Sequence, residues 1–178
     1  QDLPVQARQR MLDLDTYQHV IFVSANAVQF GLDQLGQFWP QWPVGVSWYA
    51  IGEATAAQLA KSGIEAVTPG AQMTSEGLLA LPQLKNIAGD KVLIIKGIGG
   101  RSALLTELEG RGARVDELAC YERLRPRIAP ADLAARLAAC NTDVVLFSSG
   151  EGMANFAQLL SPAETTTLKS LCVVVPSA

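Results

Sequence analysis

The sequence predicts an α/β fold of parallel strands, arranged in two similarly built halves. Three observations carry that prediction. The run Val92-Leu93-Ile94-Ile95 has no polar alternation, the pattern of a parallel strand covered on both faces. It leads through the glycine-rich turn Gly97-Ile98-Gly99-Gly100 into Leu104, Leu105 and Leu108 at helical spacing. Finally, Val20-Ile21-Phe22-Val23-Ser24-Ala25 is echoed 124 residues later by Val144-Val145-Leu146-Phe147-Ser148-Ser149, and the next strand recurs at nearly the same offset. Two strand–turn–helix units in one order imply two α/β halves, the second without its continuation. The Lys91–Arg101 unit has no copy downstream.

The elements follow in chain order. Residues 1–18 are polar apart from Met11, Leu12 and Leu14 and read as a short helical turn or linker. His19–Val23 reads as a strand. Ser24-Ala25-Asn26 is its turn, where Ser24 or Asn26 can cap a helix with face Val28, Leu32 and Leu35. Pro40 and Pro43 mark a loop carrying Trp39 and Trp42. Val46–Ile51 is a second strand ending in Gly52–Thr55. The helix after it bears Ala56, Leu59 and Ala60 and stops at Gly63. Ala66-Val67 reads as a short strand. Thr74 or Ser75 caps a helix with Leu78 and Leu79, closed by Pro82. After the unit at 91–111, Arg114–Arg123 mixes Val115, Leu118 and Cys120 with Asp116, Glu117 and Glu122, so one face is expected to be solvated. The Pro- and Arg-punctuated stretch Leu124–Arg127 marks a domain boundary. Pro130 opens a helix with the stripe Leu133, Ala134, Leu137 and Ala138. Asp143–Phe147 is a strand, Ser148-Ser149-Gly150 its turn, and Met153, Phe156 and Leu160 the next helix face. Ser161-Pro162-Ala163-Glu164 has the form of a capping box, and Leu171–Val175 is the last strand.

Composition removes several classes of function. The 178 residues are 49% hydrophobic, enough for one domain or two small ones. A net charge of -3 with no basic block argues against nucleic acid as a partner. No apolar run reaches membrane-spanning length, and no signal peptide is recognisable. Cys120, Cys140 and Cys172 have no metal-ligand spacing, which fits a reducing cytoplasm. His19, the single histidine, opens an apolar run and reads as a strand-end residue rather than a catalyst. A chain that opens at Gln1 and stops directly after an apolar run is expected to have been cut.

Ligands of open α/β sheets bind beyond the carboxyl ends of the strands. Those ends carry Ser24-Ala25-Asn26, Gly52–Thr55, Gly97–Arg101, Ser148–Gly150 and Pro176-Ser177. They hold no Ser–His–Asp set, no paired carboxylates, no metal cluster and no Walker lysine, and Gly97–Gly100 lacks the GxGxxG spacing. Such ends suit a polyanion held by backbone N–H groups and hydroxyls at helix N-termini. The glycines serve equally well as plain turn residues. Ser24, Ser148, Ser149 and Ser177 serve equally well as caps.

Several segments, taken in order, resemble the uroporphyrinogen-III synthase family. They are Ile21–Val28, Ala50–Ala56, Ser75–Leu79, Leu93–Gly97 with Gly99-Gly100-Arg101, Arg111-Gly112-Ala113, Tyr121-Glu122-Arg123 and Val145–Ser149. The resemblance implies two similar flavodoxin/Rossmann-like α/β domains joined by a two-stranded linker. Residues 1–5 and 119–127 would be the linker strands, 6–118 the central domain, and 128–178 part of a discontinuous second domain. It implies closure of hydroxymethylbilane, a linear tetrapyrrole polycarboxylate, to uroporphyrinogen III, with inversion of ring D and loss of water. It implies no metal or cofactor, and a cytoplasmic monomer that receives its substrate from the preceding enzyme of the pathway.

Tyr121 matches the family's linker tyrosine and is the candidate acid for departure of the hydroxyl; the competing role is a packed linker aromatic. The implied substrate-binding set is Ser24, Ala25, Asn26, Gly52, Thr55, Ser75, Gly97, Gly99, Gly100, Arg101, Ser148, Ser149, Gly150 and Ser177. Thr55 belongs to a Gly-x-x-Thr turn, as carboxylate ligand or helix cap. Arg101 and Lys96 are the nearest positive charges, or else solvated surface residues. The rival reading is a non-catalytic, two-lobed binding or regulatory module for a small anion.

Overall fold

A computed structural model describes residues 4–99, 102–124, 127–160 and 172–175. The chain divides into two compact units, Gln1–Arg123 and Leu124–Ala178.

The first unit is a four-stranded parallel sheet of β1 (His19–Phe22), β2 (Ser47–Ala50), β3 (Lys91–Gly97) and β4 (Arg114–Tyr121), in the order β2-β1-β3-β4. Its helices are α1 (Val5–Leu12), α2 (Ala25–Leu35), α3 (Glu53–Ala60), α4 (Ser75–Leu79) and α5 (Ala103–Gly110). The apolar strands are buried on both faces, as their patterning demands. Val20, Phe22, Leu93, Ile95, Leu118 and Cys120 pack with Met11, Val28, Leu32, Leu35 and Leu59 on the side of α1, α2 and α3. Ile21, Tyr49, Val92 and Ile94 pack with Leu78, Leu84, Leu104 and Leu108 on the side of α4 and α5. The alternation of successive side chains across the pleat makes this division.

β4 departs from expectation. Its acidic residues are half-buried and paired on both faces, because helices and a neighbouring strand reach them. Arg10 donates to Asp116 at 2.9 Å, the Tyr17 hydroxyl donates to Asp116 at 3.0 Å, and Lys96 meets Glu117 at 2.8 Å. Val5 opens α1 instead of closing a linker strand, since residues 5–12 carry Met11 into the core. Ala119 and Tyr121 are rungs of the sheet, paired with Lys96 and Gly97 of β3. Ala66-Val67 yields a single bridge from Val67 to Tyr49. His19 is buried and structural, between the Tyr49 hydroxyl and Asp90 at 3.1 Å each.

The second unit contains α6 (Pro130–Ala139), β5 (Val144–Leu146), α7 (Gly150–Gln158) and β6 (Cys172–Val174). β5 and β6 pair in parallel, repeating the β1–α2–β2 arrangement of the first unit. One detail breaks the repeat. A single residue separates β1 from the capping Ser24, whereas Phe147 and Ser148 both separate β5 from the capping Ser149. The capping-box expectation at 161–164 lies outside the described residues.

Candidate functional site

The order β2-β1-β3-β4 places a topological switch between β1 and β3, because the chain leaves β1 for β2 on one side and returns to β3 on the other. The crevice beyond those two strand ends is where such a sheet accepts a ligand. Ser24 follows β1, Gly97 ends β3, and Tyr121 ends β4 beside it.

Tyr121 reaches this point through a break in register. Lys96 pairs with Ala119 and Gly97 with Tyr121, so Cys120 is an extra residue in β4. A bulge of this kind re-aims a side chain. Cys120 packs toward α2, and Tyr121 turns the same way instead of alternating to the opposite face: its ring lies 5.6 Å from that of Phe30 on α2. The Tyr121 hydroxyl is 3.1 Å from Ser24 Oγ, and the Tyr121 carbonyl accepts from the Ile98 N–H at 2.8 Å. Ser24 Oγ also accepts from the Ala27 N–H at 3.1 Å, capping α2. A hydroxyl has one donor and two acceptor positions, so Ser24 can cap the helix and still donate to Tyr121. Ser24 is thus the cap, and the same oxygen also meets Tyr121.

Cys120 is buried, its Sγ 3.3 Å from the Lys96 carbonyl. Burial pushes its thiol up to about 11. It is a packed thiol, not a nucleophile.

The other expected residues fall out unevenly. Gly52 is the N-cap position of α3 and supplies no side-chain cap. Thr55 lies inside that helix, so it is not the cap, and it is only 6% exposed. Ala25 and Asn26 are exposed in the first turn of α2. Ser75 is the first residue of α4, while Thr74 caps it by accepting from the Gly77 N–H at 3.1 Å. Gly99 takes a φ of +79°, a true turn glycine. Lys96 is not an available charge, because Glu117 holds it. Gly100, Arg101 and Ser177 lie outside the described residues. In the second unit Ser149 caps α7 by accepting from the Gly152 N–H at 3.1 Å, Gly150 begins that helix, and Ser148 is exposed in the turn.

Phe30 escapes a reading of sequence alone. Its one signal is an aromatic residue on α2 outside the Val28, Leu32 and Leu35 stripe. Among the described residues no group of His, Cys, Asp and Glu could hold a metal ion, and no helix is long and apolar enough to cross a membrane.

A parallel, switched α/β sheet with a tyrosine and a helix-capping serine joined beyond its strand ends defines the class, an α/β protein whose candidate ligand crevice lies at the switch point. The family profile described as uroporphyrinogen-III synthase HemD matches residues 2–178. The chain is 40% identical over 112 residues to the uroporphyrinogen-III synthase of Proteus mirabilis, covering 62% of this chain and 56% of that protein. It is 37% identical over 151 residues to that of Salmonella typhimurium, covering 84% and 61%. With that of Escherichia coli it shares 39% over 130 residues, covering 72% and 53%. The chain thus spans little more than half the length of these curated relatives.

Solved structures share the fold. A uroporphyrinogen III synthase mutant of the extreme thermophile Thermus thermophilus superposes with a TM-score of 0.64 at 18% identity, covering 98% of this chain and 71% of that one. The Helicobacter pylori enzyme gives 0.59 at 16% identity, covering 90% and 76%. The chain belongs to the uroporphyrinogen-III synthase family.

Proposed function

We propose that this chain acts in uroporphyrinogen-III synthesis, as the family's hydro-lyase chemistry (EC 4.2.1.75). Hydroxymethylbilane would bind across the carboxyl ends of the strands and be closed to uroporphyrinogen III with ring D inverted. The observation that supports this best is the Tyr121–Ser24 pair at the switch point, in a chain of this family.

The residues then have definite tasks. The C–O bond of the hydroxymethyl group breaks, and the departing oxygen takes up a proton to leave as water. Tyr121 donates to that oxygen. With Ser24 donating to the phenolic oxygen, the phenolic hydrogen is turned toward the ligand and the negative charge developing on Tyr121 keeps a hydrogen bond. The linear chain then closes through a spiro intermediate as ring D turns over. The α3 N-terminus has no side-chain cap and carries Thr55, which suits an acetate or propionate carboxylate. Gly99, Gly100 and Arg101 after β3 suit a second carboxylate, and Ser148, Ser149, Gly150 and Ser177 others. In the domain arrangement that goes with this reading, the four-stranded unit from Val5 to Tyr121 is the central domain, 128–178 belong to a second one, and the chain after Tyr121 links them. The protein would work as a cytoplasmic monomer supplied by the preceding enzyme of its pathway.

Chromatography of the isomers formed from hydroxymethylbilane by the intact protein tests the activity. Spontaneous closure gives isomer I, so isomer III in excess supports a synthase and isomer I alone leaves a binding module. Tyr121→Phe is expected to lower the rate of isomer III formation roughly 100-fold, the lower range for a lost general acid, with an unchanged melting curve. Full turnover in that variant removes Tyr121 as the acid. Thr55→Ala is expected to weaken product binding by about 1 kcal/mol, the worth of one hydrogen bond. If titration shows the same affinity, Thr55 has no part in binding.

A further inference from the structure

We propose that Gly97 is a positioning residue for Tyr121: it is glycine because the tyrosine ring lies where its side chain would be. This rests on the reading of Tyr121 as the acid, and it replaces the expectation that Gly97 approaches the ligand.

Three observations converge on it. First, Gly97 is the last residue of β3, and its φ is not in the left-handed region that favours glycine. The backbone there suits any residue, in contrast to Gly99 two positions on. Second, a Cβ built at Gly97 would stand 2.7 Å from Tyr121 Cζ, 2.8 Å from Cε2 and 3.1 Å from the hydroxyl oxygen. Those are the reactive end of the phenol and the ring atoms next to it. Third, the register break sets Gly97 directly opposite Tyr121, so the space at 97 and the aim of residue 121 are two sides of one device.

The ring has little room to yield. Phe30 lies 5.6 Å away, centroid to centroid, and Ser24 holds the hydroxyl at 3.1 Å. The Ile98 N–H holds the Tyr121 carbonyl at 2.8 Å, which fixes the backbone from which the ring swings. A methyl group at 97 therefore meets the phenol itself. The least costly relief is rotation of the ring out of the crevice, which breaks the contact with Ser24 and carries the hydroxyl away from its working position. A displacement of that kind, of about an ångström or more, costs a catalytic group most of its effect.

The test is a pair of substitutions with two readouts in the intact protein. Gly97→Ala and Tyr121→Phe are made singly and together, and kcat and KM for isomer III formation are measured. Separately, 3-fluorotyrosine is placed at position 121 with and without Gly97→Ala, and its ¹⁹F resonance is recorded. The expected results are a shifted resonance, a roughly 10- to 100-fold fall in kcat for Gly97→Ala with KM within about twofold, and no further fall when Gly97→Ala is added to Tyr121→Phe. A glycine that merely keeps the fold intact would lower both backgrounds alike. An unshifted resonance overturns the positioning role whatever the activity. A rise in KM in both backgrounds overturns it in favour of ligand contact by Gly97. A shifted resonance with kcat unchanged in every variant overturns it differently, because Tyr121→Phe is then silent too and the fault lies in the reading of the tyrosine as the acid.

Discussion

At the scale of single residues, position 120 matters as much as position 121. Cys120 is the extra residue of the bulge, buried against α2, and its neighbour is delivered to the crevice because Cys120 is not in register. Burial also makes Cys120 a pH-sensitive part of the fold. In the unfolded chain its thiol ionises near 9.0, whereas in the fold desolvation raises it to about 11. A raised value in the folded state lowers stability as pH climbs from the unfolded value to the folded one. Below about pH 9 the thiol is neutral in both states and costs nothing, and stability falls as pH rises from about 9 toward 11, where the unfolded thiol ionises and the buried one resists it. Cys120→Ala is expected to flatten the stability curve between about pH 9 and 10, in urea titrations, by up to about 1.4 kcal/mol per pH unit. An unaltered slope would show that the thiol is not desolvated. The Tyr17 and Tyr49 phenols, both raised mainly by burial, steepen the decline at higher pH.

At the scale of elements, α2 organises the surroundings of Tyr121. It carries the capping Ser24 at one end and Phe30 within, and it must lie close enough to the sheet for both to reach Tyr121. Gly31 permits that approach: a Cβ there would lie 2.7 Å from Ile95 Cγ2 and 3.3 Å from the Phe22 ring. Two effects oppose one another in Gly31→Ala. Helix propensity favours alanine by about 1 kcal/mol, while overpacking a filled core costs about 1–3 kcal/mol. The contact with Ile95 is under 3.0 Å on a branched, fully buried side chain, so overpacking wins. A net loss of about 1 kcal/mol is expected, visible as a lower urea midpoint at constant slope. A midpoint at or above that of the parent would mean α2 has slack against the sheet. Serine, threonine and glycine at strand ends were legible as caps and turns because those roles are local. Which of two neighbours caps was not legible: Thr74 and not Ser75, Ser149 and not Ser148, since each choice depends on the φ and ψ at which the chain enters the helix.

At the scale of the whole molecule, the first unit contains a sheet covered on both faces, and among the described residues its buried core side chains come from that unit itself. A fragment ending at Arg123 is expected to unfold in one cooperative urea transition, with native-like amide protection in β1 and β3. A broad, non-cooperative transition would show that the two units fold only together. The alternation of buried residues, the parallel strands and the repeat of strand, serine and helix were all readable in the chain, as was its family. Each is fixed by short-range patterning, by a period of two or of about 3.6, or by the need to satisfy a helix end. The strand order is another matter. So are the bulge at Cys120, the ion pair that removes Lys96 from the crevice, and the ring that explains Gly97. They join residues 21 to 97 positions apart, and no local pattern records which strand lies beside which. The sequence by itself determined the parallel α/β architecture and the polar, glycine-marked strand ends. Tertiary structure alone decided that Tyr121 meets Ser24 over Gly97, because strand pairing sets distances that spacing along the chain does not carry.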